Sequence, residues 1–354
     1  MRGRRWKACT LRCVTRKLCA FGLFLALNAC QKAESRANKA TPSSASVTPA
    51  VSAPATAASS LASAASAPAA SAPVPAAPAV TFTPDPARYA WLDGERPFPK
   101  PEATLEQRFP TPPGYSRVAV EPGSFAEWLR SLPLAAEGTP VTTFDGKESL
   151  AGDDDYLAGV IAIDTGNADL QQSSDVIIRL QAEYLWSKGE KARISYSSAT
   201  KLNMPLSRWE KGQRLLPNGP NVFWVIKEAQ PSELTYAEFR RYLDAVFNWA
   251  NSTALAARST VVSDPKELVP GDFFLQSRAP NHVAIVLDLA EKPSGERVAL
   301  LGQARNPAES VHVVRPGKAT PWFSVRPPVP VLTPHSQALA WDDLRRLPPA
   351  EPEK

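Results

Sequence analysis

The sequence predicts an α+β domain carried behind a disordered N-terminal tether, and three observations predict it. Composition breaks sharply near residue 80: the stretch before it has no aromatic residue from Gln31 onward, while eight of the nine tryptophans, all but Trp6, lie after it. Helical and strand periodicities are mixed in the later part without regular alternation, which favours segregated α+β packing over βαβ units. No fixed-period repeat is visible, so a solenoid is not expected.

The first element is residues 1–30. Seven Lys and Arg fall in the first seventeen positions, and an uncharged stretch from Leu18 to Gln31 follows. This is the order of a secretory signal, and it is too short for a bilayer span, which needs about twenty apolar residues. The stretch closes on Leu27-Asn28-Ala29-Cys30. That segment resembles the lipobox of bacterial lipoproteins, in which small residues precede a cysteine that is diacylated and becomes the new N-terminus; Asn28 departs from the commonest pattern. The resemblance implies lipidation at Cys30, attachment to a membrane through that lipid, and a domain facing the periplasm of the cell envelope. Gln31, rather than Asp, after the cysteine favours the outer membrane.

Cysteine usage and charge narrow the chemistry. Cys9, Cys13, Cys19 and Cys30 are the four cysteines of the chain, all inside the signal region. A mature chain with Cys30 acylated has no disulfide, thiolate metal site or cysteine nucleophile. Removing the signal takes 40 basic residues to 33, against 35 acidic ones, a net charge of about −2. That argues against a nucleic-acid binder, which would carry a basic excess. Three histidines make a zinc site an unpromising expectation, and no metal or cofactor is expected.

Residues 31–84 form the next element. Ala, Ser, Pro, Thr and Val dominate it, a composition that buries too little apolar surface to offset its ordering entropy. Its reach is expected to be roughly 40 Å as a coil and about 150 Å extended.

Residues 85–347 suffice for one α+β core, with a polar tail over 348–354. Ser124 and Glu127 have capping-box spacing, and Phe125, Trp128, Leu129 and Leu132 follow at helical spacing. Leu157 to Asp164 reads as a strand, Asp169 to Lys188 as a helix, and Ala192 to Ser198 as a strand. Thr235 and Glu238 give a second capping box, Leu234 and Phe239 a hydrophobic staple, and Phe239, Tyr242, Leu243, Val246 and Phe247 an apolar helix face. After Pro270-Gly271, strands are expected at Asp272–Gln276, His282–Leu289, Val298–Ala304 and Val311–Arg315. A short helix is expected near Trp341 to Leu347.

Two segments carry candidate chemistry. In the helix from Asp169, spacing of about 100° per residue puts Ser173, Ile177, Leu180 and Tyr184 on one stripe, and Asp175, Arg179 and Glu183 as a charged ladder opposite. Ser173 would then face the core from the first turn. A nucleophile at a helix N-terminus benefits from the local positive potential, although a small buried serine is also an ordinary core residue. The second segment is Pro270-Gly271-Asp272-Phe273-Phe274 followed by Asn281-His282-Val283-Ala284-Ile285-Val286-Leu287-Asp288. It is similar to the Gly-Asp and His-Val strands of NlpC-type papain-like peptidoglycan peptidases. That resemblance implies His282 as general base and Gln303, on the next strand, as the residue orienting it, with Ser173 as nucleophile. Gln172, Asp272 and His312 are the accompanying binding candidates.

Taken together, Phe109 to Trp322 resembles the "domain of unknown function 4846" family. The match rests on Gly114-Tyr115-Ser116-Arg117, Trp128-Leu129-Arg130, Phe144-Asp145-Gly146, Asp169-Leu170-Gln171-Gln172, Arg179-Leu180-Gln181-Ala182-Glu183-Tyr184-Leu185, Gly271-Asp272, His282-Val283 and Pro321-Trp322. The resemblance implies that a cysteine often stands where this chain has Ser173, with the histidine retained. Serine beside one histidine is a far weaker nucleophile than cysteine, which ionises near neutral pH. Two functions therefore remain: a degenerate papain-like envelope domain binding a cell-wall or protein ligand, and an active envelope hydrolase or amidase using Ser173 with His282.

Overall fold

In the computed structural model, residues 82–226, 234–276, 282–334 and 336–349 are described; residues 1–30, expected to be the signal segment ending at Cys30, nearly all of the expected linker and most of the tail lie outside them. Nine antiparallel strands form the central sheet: β1 (Ser116–Arg117), β2 (Leu157–Val160), β3 (Thr260–Val261), β4 (Phe273–Gln276), β5 (His282–Glu291), β6 (Arg297–Gln303), β7 (His312–Val314), β8 (Phe323–Val325) and β9 (Leu344–Arg346). The order across it is β3-β9-β4-β5-β6-β7-β2, with β8 added to β6 and β1 added to β5. Helices and antiparallel strands thus occupy separate layers, the α+β arrangement.

The two sheet faces carry different cores. Leu275, Val283, Ile285, Leu287, Leu300 and Val313 join the helices α1 (Phe125–Arg130), α2 (Asp175–Ser187) and α3 (Tyr236–Trp249) in the larger one. Phe274, Ala284, Val286, Leu301 and Val314, alternating with them, meet Val262, Leu268, Val331, Leu339 and Trp341 on the opposite face. This is the two-residue alternation of a strand buried on both sides, and it explains the apolar run Val283–Leu287 of β5. A bulge between Val286 and Asp288 breaks the alternation and turns Asp288 to the helix face. There its carboxylate accepts from Arg117 Nε at 2.7 Å and Arg130 Nε at 2.9 Å, anchoring α1.

Local chemistry sets the helix starts. Ser124 Oγ accepts from Glu127 N–H at 3.2 Å, and the Glu127 carboxylate reaches back to Gly123 N–H at 3.0 Å. Thr235 caps α3 through Glu238 N–H at 3.2 Å, but the Glu238 carboxylate turns to Trp209 Nε1 at 3.1 Å rather than closing the box. α1 lies close against the turn before β4. Gly271 there has φ +100°, and an added Cβ would stand 2.9 Å from Phe125, so any side chain would be both strained and in collision.

Three expectations are corrected. α2 starts at Asp175, not Asp169, because Asp169 Oδ1 is used by Ala308 N–H at 2.7 Å and the Gln172 amide at 3.0 Å, which holds residues 169–172 to the β6–β7 loop. Ala192 to Ser198 is a 3₁₀ turn followed by a strand at Ser195–Ser197. The helix expected near Trp341–Leu347 is a 3₁₀ turn at Trp341–Asp343 leading into β9, which is drawn out straight by pairing with β3 and β4.

Candidate functional site

Ser173 sits two residues before α2. Its Oγ accepts the Val283 N–H at 3.0 Å, and its own N–H donates to Asn306 Oδ1 at 3.2 Å. The hydroxyl therefore closes the end of β5 where β6 leaves it. Gln172, Ser173, Asp175, Asn251, Val283 and Asn306 line a cavity of about 130 Å³ at this point. Asp175, unnoticed as a site residue in the sequence, is 5% exposed, and its Oδ1 finds no hydrogen-bond partner among the described residues. Burial pushes its carboxyl well above the usual range, which favours the uncharged acid at the helix start.

His282 is on the other face. Its neighbour Val283 belongs to the core that contains α2, while Ala284 and Val286 belong to the opposite core, so alternation sends the imidazole away from α2. Burial pushes the ring down to about 4, outweighing the help of Gln303; the groups acting on it are Gln303, His312, Arg305 and Glu309, all from β6, β7 and the loop between them. Gln303 pairs with Ala284 on β5 and with His312 on β7, so the two polar side chains share His282's face. His312 Nδ1 lies 2.9 Å from the Ser310 carbonyl and must carry the hydrogen; Nε2 then accepts from the Gln303 amide at 3.2 Å. That fixes the Gln303 amide, with its oxygen left over. Neither Gln303 Oε1 nor His282 Nε2 finds a partner of normal geometry among the described residues.

The structure therefore brings His282, Gln303 and His312 together and sets Ser173 at the start of β5 on the Val283 N–H, with no Ser173–His282 hydrogen bond among the described residues. Burial keeps the His282 ring neutral at ordinary pH, and the bond recorded for the Ser173 hydroxyl is the one from the Val283 N–H. Asp272 is also reassigned: both its oxygens receive Arg346, at 2.6 and 2.8 Å, and Oδ2 also takes the Val269 N–H at 2.9 Å. It ties β9 to the turn before β4 and is fully buried there, paired with Arg346. Gln172 stays beside Ser173 on the cavity wall, its amide donating to Asp169.

The charged ladder of α2 is buried. Arg179 is fully enclosed and gives Nε to Glu183 at 2.8 Å, Nη1 to Gln171 at 2.7 Å and Nη2 to Asp164 at 2.6 Å. Asp164 also receives Arg240 at 3.1 Å. Burial pushes the Asp164 carboxyl up, and Arg179 and Arg240 more than offset it, leaving it below the usual range. Glu183, with fewer cations, stays above its ordinary value, burial being the larger effect. The i, i+4 spacing of Arg179 and Glu183 was readable in the sequence; Asp164 and Arg240 come from distant elements and were not.

A family model, a domain of unknown function (4846), matches residues 105–346. The chain belongs to the domain of unknown function 4846 family. No curated protein and no solved structure matches it. The family match covers every element that builds the site, from α1 to β9. Among the described residues no group of three His, Cys, Asp or Glu is placed to hold a metal ion, and no helix is long and apolar enough to cross a membrane.

Proposed function

We propose that this member of the domain of unknown function 4846 family is a lipid-anchored envelope protein whose domain binds a cell-wall or protein ligand, in the cleft beside Ser173, without cleaving it. The observation that carries the reading is the position of Ser173: its oxygen is held by the Val283 N–H, and the imidazole of His282 is directed to the sheet face away from α2. What remains at the start of α2 suits binding. The cavity offers the Asp175 carboxyl, the Gln172 and Asn306 amides and the helix N-terminus, a set that pairs with amide groups. The envelope location is supported by the charged n-region, the short apolar stretch and Cys30.

Full-length protein mixed with insoluble peptidoglycan tests the reading. Co-sedimentation with no soluble fragments released is expected, with weaker retention for Asp175→Ala. Fragment release that disappears in Ser173→Ala would establish the hydrolase instead.

A further inference from the structure

Away from Ser173, a cavity of about 340 Å³ opens between the Trp91–Arg96 segment and the first two turns of α3. Trp91, Arg96, Asp164, Tyr236, Arg240 and Arg241 line it. Its volume lies at the low end of ligand pockets and is on the order of ten times the share of one water, so it is not a single-water void. The tryptophan and tyrosine already have polar partners: Trp91 Nε1 donates to the Ala162 carbonyl at 2.7 Å, and the Tyr236 hydroxyl to Glu183 at 2.8 Å. They contribute ring surface rather than hydrogen bonds.

The guanidinium groups are short of acceptors. Arg240, 3% exposed, gives Nη2 to Asp164 at 3.1 Å and stands 3.7 Å from Asp244, but its Nε and Nη1 find no acceptor among the described residues. The two carboxylates beside it are shared. Asp164 is also bound by Arg179, and Asp244 by Arg96, which donates to it at 3.1 Å. Three guanidinium groups thus converge on two carboxylates, and the next acid, Glu183, takes Arg179 and Tyr236 on Oε1 while its Oε2, without a partner among the described residues, makes no bond to Arg240. A buried guanidinium N–H without an acceptor is costly, and a carboxylate is the planar partner that fits it. The rim selects further: Asp93 and Glu95 are exposed there and disfavour polyanions such as nucleotides.

We propose that this cavity binds a small carboxylate of amino-acid or peptide type, its carboxylate meeting Arg240 and Arg96 and its ammonium or amide end lying toward Asp93 and Glu95. The proposal is independent of the cleft at Ser173, and its test does not involve that cleft. Calorimetric titration of the full-length protein with alanine, alanyl-alanine, alanyl-alanine amide and inorganic phosphate decides it. Alanine or alanyl-alanine should bind at least tenfold more tightly than the amide and than phosphate; preference between the first two separates a free amino acid from a peptide end. Arg240→Met should abolish the difference. Because that change touches a buried network, Ala237→Trp provides a second variant: Ala237 is exposed, lines the same cavity and tolerates a large side chain without disturbing the core. It should weaken the tighter ligand at least tenfold with unchanged thermal stability. Equal binding of acid and amide, tighter binding of phosphate, absence of heat for every probe at 20 mM, or full binding by Ala237→Trp would each overturn the assignment.

Discussion

Burial shifts Asp175 upward and His282 downward, and each makes a signed prediction. The Asp175 carboxyl is raised by burial above its unfolded value of about 3.9, so its contribution is full below about pH 4 and is lost as pH rises. Asp175→Asn keeps the shape without the ionisation. It is expected to be more stable than the parent by about 1–2 kcal/mol at pH 7.5 and indistinguishable from it near pH 3, as measured by urea unfolding. A loss at pH 7.5 would show that the carboxylate is charged and paired. His282 runs the other way: its native value of about 4 lies below the unfolded value of about 6.5, so stability is full above pH 6.5 and falls as pH drops toward 4. The parent should lose about 3 kcal/mol more than His282→Gln over that window. Parallel curves for the two proteins would contradict the burial of the ring.

Within the elements, packing rather than capping carries the stability. Leu180 on α2 and Phe239 on α3 are fully buried in the core shared with β4 and β5. Each truncation to alanine should cost about 2–5 kcal/mol, read as a shift in the urea midpoint at constant slope. Losses below about 0.5 kcal/mol would place those faces outside the core. The sequence reading of these helices and of β4 to β7 was good because apolar spacing is a local signal. It failed where distant partners decide. Residues 169–174 read as helix but are held by the β6–β7 loop, and Leu344 to Arg346 is strand because β3 and β4 lie beside it. Arg179 and Glu183 read as an outer ladder, yet Asp164 and Arg240, which make their burial tolerable, stand far away in the chain. The grouping of His282, Gln303 and His312 was legible from neighbouring strands. Which face they share was not, since it depends on register against α2.

For the whole molecule, anchor and cleft give separate tests. Cells fed an alkyne fatty acid should label the parent chain and not Cys30→Ala, which should leave the membrane fraction; equal labelling of both would remove the anchor from the account.

The central claim is that Ser173 and His282 are near in the chain fold but not partners, and a thiol placed at residue 173 reports this directly. In Ser173→Cys, the rate of alkylation by iodoacetamide as a function of pH gives the thiol pKa. The imidazole points from the opposite face of β5, so adding His282→Ala should leave the midpoint where it was, within about 0.3 unit of the single variant. A midpoint well below the free-cysteine value of about 8.5 that rises by a unit or more when His282 is removed would show a working thiolate–imidazole pair and contradict the account.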